Sequence, residues 1–261
     1  MNHQKGQILL IAVMFVATVL TVFSAIAFRS TTETQTTKLE EESQKALAAA
    51  EAAIEAVLKQ GNVVNIQSLP GFETSNITGQ ATVETTQSNN FTTPLLQKDE
   101  QYTLYLSNPG GTTDNPNFSQ LTPSYNNRPL TICSTSLNSA LEITIIKSDN
   151  SIKRFAINPP SSTIIQNGQT ANSLGTCPNT ESFNYRHQLS SSDIGSNNLL
   201  LIARVIGSGS VKLGFMAASG NLPFQGKTIT STAQSTIGVT KKVVLFQSYP
   251  QIPSEFFVTS F

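Results

Sequence analysis

The sequence predicts an α+β fold in which one long N-terminal helix precedes an antiparallel β-sandwich or jelly-roll-like domain. Three observations carry this expectation. Ile8 to Phe28 is an apolar run without a charged residue. Neither Gly nor Pro occurs between Gln7 and Gln60, so nothing there breaks a helix. From Gly61 onward the hydrophobic pattern changes from period 3.6 to period 2. The chain accordingly divides into a short N-terminal peptide (1–6), a helix (7–60) and a β-rich part (61–261). Within the last, the sandwich core is expected at about 130–248, followed by a tail at 249–261.

The first half of the helix, residues 7–28, has the length of a membrane span. At 1.5 Å per residue the Ile8–Phe28 run covers about 30 Å, the thickness of a bilayer core. Thr18, Thr21 and Ser24 do not spoil it, because a hydroxyl can bond a carbonyl one turn earlier. Lys5 flanks the run on the N-terminal side and favours a cytoplasmic N-terminus, with everything after Arg29 outside. Three uses of such a segment compete: a secretory signal cleaved at Ala25-Ile26-Ala27, a plain membrane anchor, or a helix retained after removal of a short basic peptide. The run exceeds the usual h-region of about 7–15 residues, which weighs against the first.

The second half, residues 29–60, is amphipathic. Leu39, Ser43, Ala46, Ala50, Ile54 and Val57 recur at steps of three or four, with Leu47 and Leu58 beside them. Lys38/Glu42, Glu41/Lys45 and Glu55/Lys59 are opposite charges four apart on the wet face. Gly61 supplies the stop. The β-branched stretch Ser30 to Thr37 is the weak part, expected to fray where the helix must bend.

These features in series resemble the N-terminal segment of PilX-type minor pilins, and the related large minor pseudopilins of type II secretion are similar. The resemblance rests on Lys5-Gly6, the uninterrupted apolar helix, Arg29-Ser30 and the Ala/Glu-rich Gln44 to Leu58, and covers about residues 1–60. It implies cleavage after Gly6 by a prepilin peptidase and N-methylation of Gln7. It also implies packing with other pilin subunits through the helix in a type IV pilus or pseudopilus. Location follows: the cytoplasmic membrane before assembly, with one pass and the N-terminus inside, then an extracellular fibre at the cell surface. Two departures stand out: major pilins usually begin the mature chain with Phe and carry Glu as its fifth residue, where this chain has Gln7 and Ile11. A buried amine without a carboxylate is costly. This suits a minor subunit at the tip or in an initiating complex better than a repeating one. Ala17, Thr21 and Ala25, four apart, form a small-residue face for close helix packing, or fall there by chance.

Composition narrows the exported part. With 16 basic and 16 acidic residues and 12% charged, the chain has no general basic field for nucleic acid. The charges of residues 1–61 nearly cancel among themselves: Lys5, Arg29, Lys38, Lys45 and Lys59 stand against Glu33, Glu40, Glu41, Glu42, Glu51 and Glu55. Ala81 to Thr85 and Tyr102 to Leu106 alternate as strands. Three hairpins are expected: Leu141–Ile146 with Ile152–Ile157 around Asp149-Asn150, Leu199–Ile206 with Val211–Met216 through Gly207 to Ser210, and Thr228–Thr230 with Val239–Phe246. Asn108 to Pro129 and Pro159 to Glu181 read as long loops.

Chemistry is sparse. Cys133 and Cys177 are the two cysteines, either one disulfide closing a loop of about 45 residues or two buried thiols. They do not make a zinc site with His187, and no metal or cofactor is expected. His187 with Asp193 and a serine lacks a nucleophile motif and reads as a strand or loop residue. Asp99-Glu100 and Asp114 lack calcium-loop spacing. Lys153-Arg154 and Lys241-Lys242 read as solvated edge charges, or as phosphate contacts if the machine takes up DNA. Phe256, Phe257 and Phe261 in the tail imply docking on this chain's sandwich or on a neighbouring subunit. The leading expectation is a non-catalytic fibre subunit with an unknown surface ligand, serving adhesion or uptake. The alternative is a permanently anchored β-sandwich that binds carbohydrate or peptide.

Overall fold

The computed structural model describes residues 4–85, 87–112, 115–172, 175–178 and 180–253, with side chains described from Leu10 onward. In chain order the elements are α1 (Gln4–Gln60), β1 (Val64–Asn65), a single 3₁₀ turn (Ile66–Ser68), β2 (Ile77–Glu84), β3 (Asn90–Thr92), β4 (Gln101–Tyr105), β5 (Ser107–Gly111), β6 (Pro116–Pro123), β7 (Leu130–Ser134), β8 (Ser139–Lys147), β9 (Ile152–Asn158), β10 (Gln169–Thr170), β11 (Tyr185–Leu189), the one-turn α2 (Ser191–Ile194), β12 (Asn198–Gly207), β13 (Leu213–Ala217), β14 (Gly226–Ser235) and β15 (Thr240–Ser248). The chain is α+β, a long apolar N-terminal helix followed by mostly antiparallel sheets. Two compact units result, residues 1–82 with 230–244 and residues 83–229 with 245–261.

In the first unit α1 is one helix of 57 residues. It begins at Gln4, earlier than the expected 7, because a single Gly6 costs a helix only about 1 kcal/mol. It ends as expected: Gly61 takes φ +77° and donates its N–H to the Val57 carbonyl at 2.7 Å. The Thr-rich stretch is helical here. Thr31, Thr32, Thr34, Thr36 and Thr37 each donate the hydroxyl to the carbonyl four residues earlier, at 2.6–2.9 Å. Their polar groups are thus satisfied on the helix itself.

Burial begins only past Glu42. Ala46, Ala49, Ala50, Ala53, Ile54 and Val57 are buried, whereas Leu39, Leu47 and Leu58 are exposed, so the apolar stripe is an alanine face and excludes Leu39. Lys45 holds both Glu41 (2.7 Å) and Glu42 (3.6 Å), and Arg29 pairs with Glu33 (2.9 Å); among the described side chains Lys38–Glu42 and Glu55–Lys59 form no ion pair. The helix touches β1 and the 3₁₀ turn. Most of the sheet β1-β2-β14-β15 belongs to this unit, with 83–84, 226–229 and 245–248 counted in the other; in it Gly79 (φ +145°) lies against the Thr232 carbonyl where no side chain fits.

The second unit is the β-sandwich. Its two main sheets have strand orders β10-β9-β8-β12-β4 and β11-β7-β13-β3. Leu104, Ile143, Ile145 and Leu201 of the first sheet and Leu130, Ile132, Leu213 and Phe215 of the second belong to one buried cluster. The face-to-face layers interdigitate there.

Three expectations change. β8 and β9 form the hairpin foreseen, with Leu141 opposite Ile157 and Asn150 at φ +64° in the turn. β12 and β13 do not: β12 pairs β4 and β8, while β13 pairs β3 and β7 in the other sheet. Gly207 (φ +127°) and Gly209 (φ +96°) let the chain cross between sheets, and both strands, apolar on their inner faces, find partners elsewhere. β14 and β15 are adjacent as expected but join β1 and β2, so the sandwich ends at β13 and includes β3 and β4 ahead of residue 130. Finally, the segment read as a loop after residue 107 holds a two-stranded ribbon, β5 paired with β6. Prolines at 109, 116 and 123 hid it, since Pro is tolerated on such edges.

Candidate functional site

The apolar half of α1 is the first candidate. From Leu10 to Phe28 every side chain is exposed, and the helix carries a window of mean hydropathy 2.5, long and apolar enough to cross a membrane. Thr18 donates its hydroxyl to Phe15 O and Thr21 to Thr18 O, both at 2.8 Å, so neither brings an unsatisfied group to the apolar surface. Ala17, Thr21 and Ala25 lie in this exposed stretch as an unburied small-residue face. Gly6 and Gln7 are helical in backbone, and their side chains lie outside the described residues.

Cys133 and Cys177 form a disulfide, with Cα atoms 6.1 Å apart. It ties the segment between β9 and β11 to β7. The same segment is stitched by Asn158, whose amide donates to Ile165 O (2.8 Å) and accepts from the N–H groups of Ile164 and Ile165 (3.0 and 2.9 Å). Just beyond Cys177, the Thr180 hydroxyl meets that of Thr92 on β3 at 2.6 Å.

That contact forms one wall of a cleft of about 470 Å³ in the sandwich unit. Phe91, Phe224 and Phe246 supply aromatic surface, and Glu84, Asn90 and Thr180 are among its polar lining. The Phe91 ring sits 5.4 Å from Tyr102 and 5.9 Å from Phe246, centroid to centroid. Phe246 remains 41% exposed. Gly226 makes its position possible, because a Cβ there would meet the Phe246 ring at 2.8 Å as well as the neighbouring backbone. Sequence reading missed this site. Its residues come from four distant stretches, and phenylalanines scattered singly along the chain carry no motif.

The edge of β4 is closed by side chains. Gln225 accepts from Tyr105 N–H and donates to Tyr105 O, each at 2.8 Å. Gln251 does the same at Thr103, accepting at 2.7 Å and donating at 3.4 Å. Gln101 donates to Ile252 O at 2.6 Å, and Tyr105 donates its hydroxyl to Pro250 O at 2.8 Å. The ring of Tyr249 stands edge-on to Tyr105 at 5.3 Å. Burial pushes the Tyr105 phenol up to about 12. The described tail thus docks on the sandwich of its own chain; Phe256, Phe257 and Phe261 lie outside the described residues.

His187 is a strand residue, opposite Ile132 in the β11–β7 pair. Burial lowers its pKa, and the nearby Asp193 carboxylate opposes that shift. Asp193 and Ser190 are occupied with each other in a capping box at α2: Ser190 N–H and Oγ donate to the carboxylate at 2.8 and 2.6 Å, and Asp193 N–H donates back to Ser190 Oγ at 3.2 Å. The hydrogen bond from Ser190 holds the Asp193 carboxyl below its usual range. Lys153, expected as a solvated edge charge, instead donates to the carbonyls of Ser192 and Asp193 at 2.7 and 3.1 Å, at the C-terminal end of α2. No group of acidic, His and Cys side chains among the described residues could hold a metal ion. Set against known proteins, the chain matches no family model and no curated relative.

Proposed function

We propose that this chain is a minor subunit of a type IV pilus or of a secretion pseudopilus, structural and without catalysis. The single observation that carries the reading is the form of α1. One unbroken helix runs from Gln4 to Gln60, with an apolar half that is wholly exposed from Leu10 to Phe28 and an alanine face that is buried beyond Glu42. An exposed apolar helix of this length needs either lipid or other helices around it. A helical fibre core provides the second after the membrane has provided the first. In this reading the peptide 1–6 is removed after Gly6, Gln7 becomes the methylated terminus, and Ala17, Thr21 and Ala25 allow close approach to neighbouring subunits. The β-unit then faces outward and carries the contacts of adhesion or uptake.

Mass spectrometry of the mature chain and immunodetection in sheared surface fibres test this. A chain starting at Gln7, heavier by one methyl group and present in fibres, is the expected result. A chain that keeps its first six residues and stays in the membrane fraction overturns it in favour of a permanent anchor. A start at Phe28 establishes instead a cleaved secretory signal.

A further inference from the structure

We propose that the cleft between β3, β14 and the Thr180 segment binds a neutral glycan. The site pairs two kinds of surface. Phe91, Phe224 and Phe246 present aromatic rings, and Asn90, Thr180 and Glu84 surround them with hydrogen-bonding groups. A pyranose carries the matching pair, a C–H face that packs on the electron-rich face of a phenyl ring and hydroxyls that both donate and accept. The volume of about 470 Å³ falls inside the range of about 300–1,000 Å³ usual for small-ligand clefts.

Charge and backbone geometry argue against other occupants. Glu84 is the charged residue among those described along the cleft, so an anionic ligand finds repulsion and no cation. A peptide added as a strand would need an open edge. β3 offers three residues, and its Asn90 N–H is already taken by Ser88 Oγ at 3.2 Å. Recognition therefore falls to side chains. The cleft is also braced for it: Tyr102 and Phe246 fix the Phe91 ring, Gly226 seats Phe246, and the Cys133–Cys177 disulfide anchors the segment that brings in Thr180.

The test uses the full chain in lipid nanodiscs, titrated with cellotetraose, chitotetraose and maltotetraose. At least one should bind, and Phe246→Ala should weaken that binding roughly tenfold or more. Phe246→Tyr, which keeps the ring, should retain it, and Lys242→Ala on β15 should leave it unchanged. Unaltered thermal melting of the Phe246 variants separates loss of the site from loss of the fold. Failure of all three sugars to bind overturns the proposal, as does binding that survives Phe246→Ala. Preferential binding of a peptide at the same cleft would do so as well. Because the titration is indifferent to processing at Gly6, its failure leaves the fibre reading standing, and the reverse.

Discussion

The carboxamide of Gln225 lies against the backbone of Tyr105 as a neighbouring strand would, with its oxygen accepting from Tyr105 N–H and its nitrogen donating to Tyr105 O, both at 2.8 Å. Gln251 repeats the arrangement two residues along, at Thr103. In the tail, Gln251 lies between Pro250 and Ile252, and Pro250, with no N–H, cannot donate to a ladder at this edge.

Replacing Gln225 by Leu should therefore strand a buried N–H and carbonyl. Each unmet group costs about 1–3 kcal/mol, and a loss of about 2–4 kcal/mol in urea unfolding is the expected outcome. Loss of less than about 0.5 kcal/mol would mean that water satisfies the edge instead.

The disulfide should contribute about 4 kcal/mol, given a sequence separation of 44 between Cys133 and Cys177. Reduction, or Cys133→Ser with Cys177→Ser, should lower the melting temperature. Protection from hydrogen exchange should fall first around 159–181, the segment that the bond ties to β7.

His187 gives stability a pH limb. Its folded pKa lies below the ordinary 6.5, so the unfolded chain binds the proton more readily. The neutral imidazole contributes fully above about pH 6.5, and that contribution is lost as pH falls toward the folded value. Asp193, also lowered, acts in the same direction below its ordinary 3.8. Stability should thus fall in two steps on acidification, and His187→Asn should remove the upper step from a series of melts.

Ala53 is fully buried on the alanine face of α1. Ala53→Leu should overpack that face and cost about 1–3 kcal/mol. The same change at exposed Ala48 should be close to neutral, within about 0.5 kcal/mol. Paired denaturation curves compare them.

How far the sequence could be read depended on whether a signal was local. Absence of Gly and Pro up to Gln60, followed by Gly61, marks a helix and its end because each residue acts on its own turn. The Asp149-Asn150 turn declares its hairpin for the same reason. By contrast, Gly207 to Ser210 reads as a hairpin turn, yet β12 and β13 part into different sheets. That choice was made by partners more than fifty residues away, such as β8 for β12 and β7 for β13. For Thr31 to Thr37, propensity counts the cost of branching and omits the hydroxyl bonds that offset it in the helix. The cleft was illegible because no short window contains Phe91, Phe224 and Phe246 together.

The sheet β1-β2-β14-β15 has a consequence for the order in which the molecule forms. Thr78 on β2 bonds to Gln234 on β14 across 156 residues, and Thr82 to Thr230 across 148. During synthesis from the N-terminus, α1 and β2 emerge early and must wait for strands made late. Such distant pairings slow folding, because the loop between them closes at an entropic cost before any contact compensates. The chain thus passes through a stage in which its membrane-length helix is already complete while the sheet of the same unit lacks half its strands, and any chaperone or assembly partner acting early meets that half-built species.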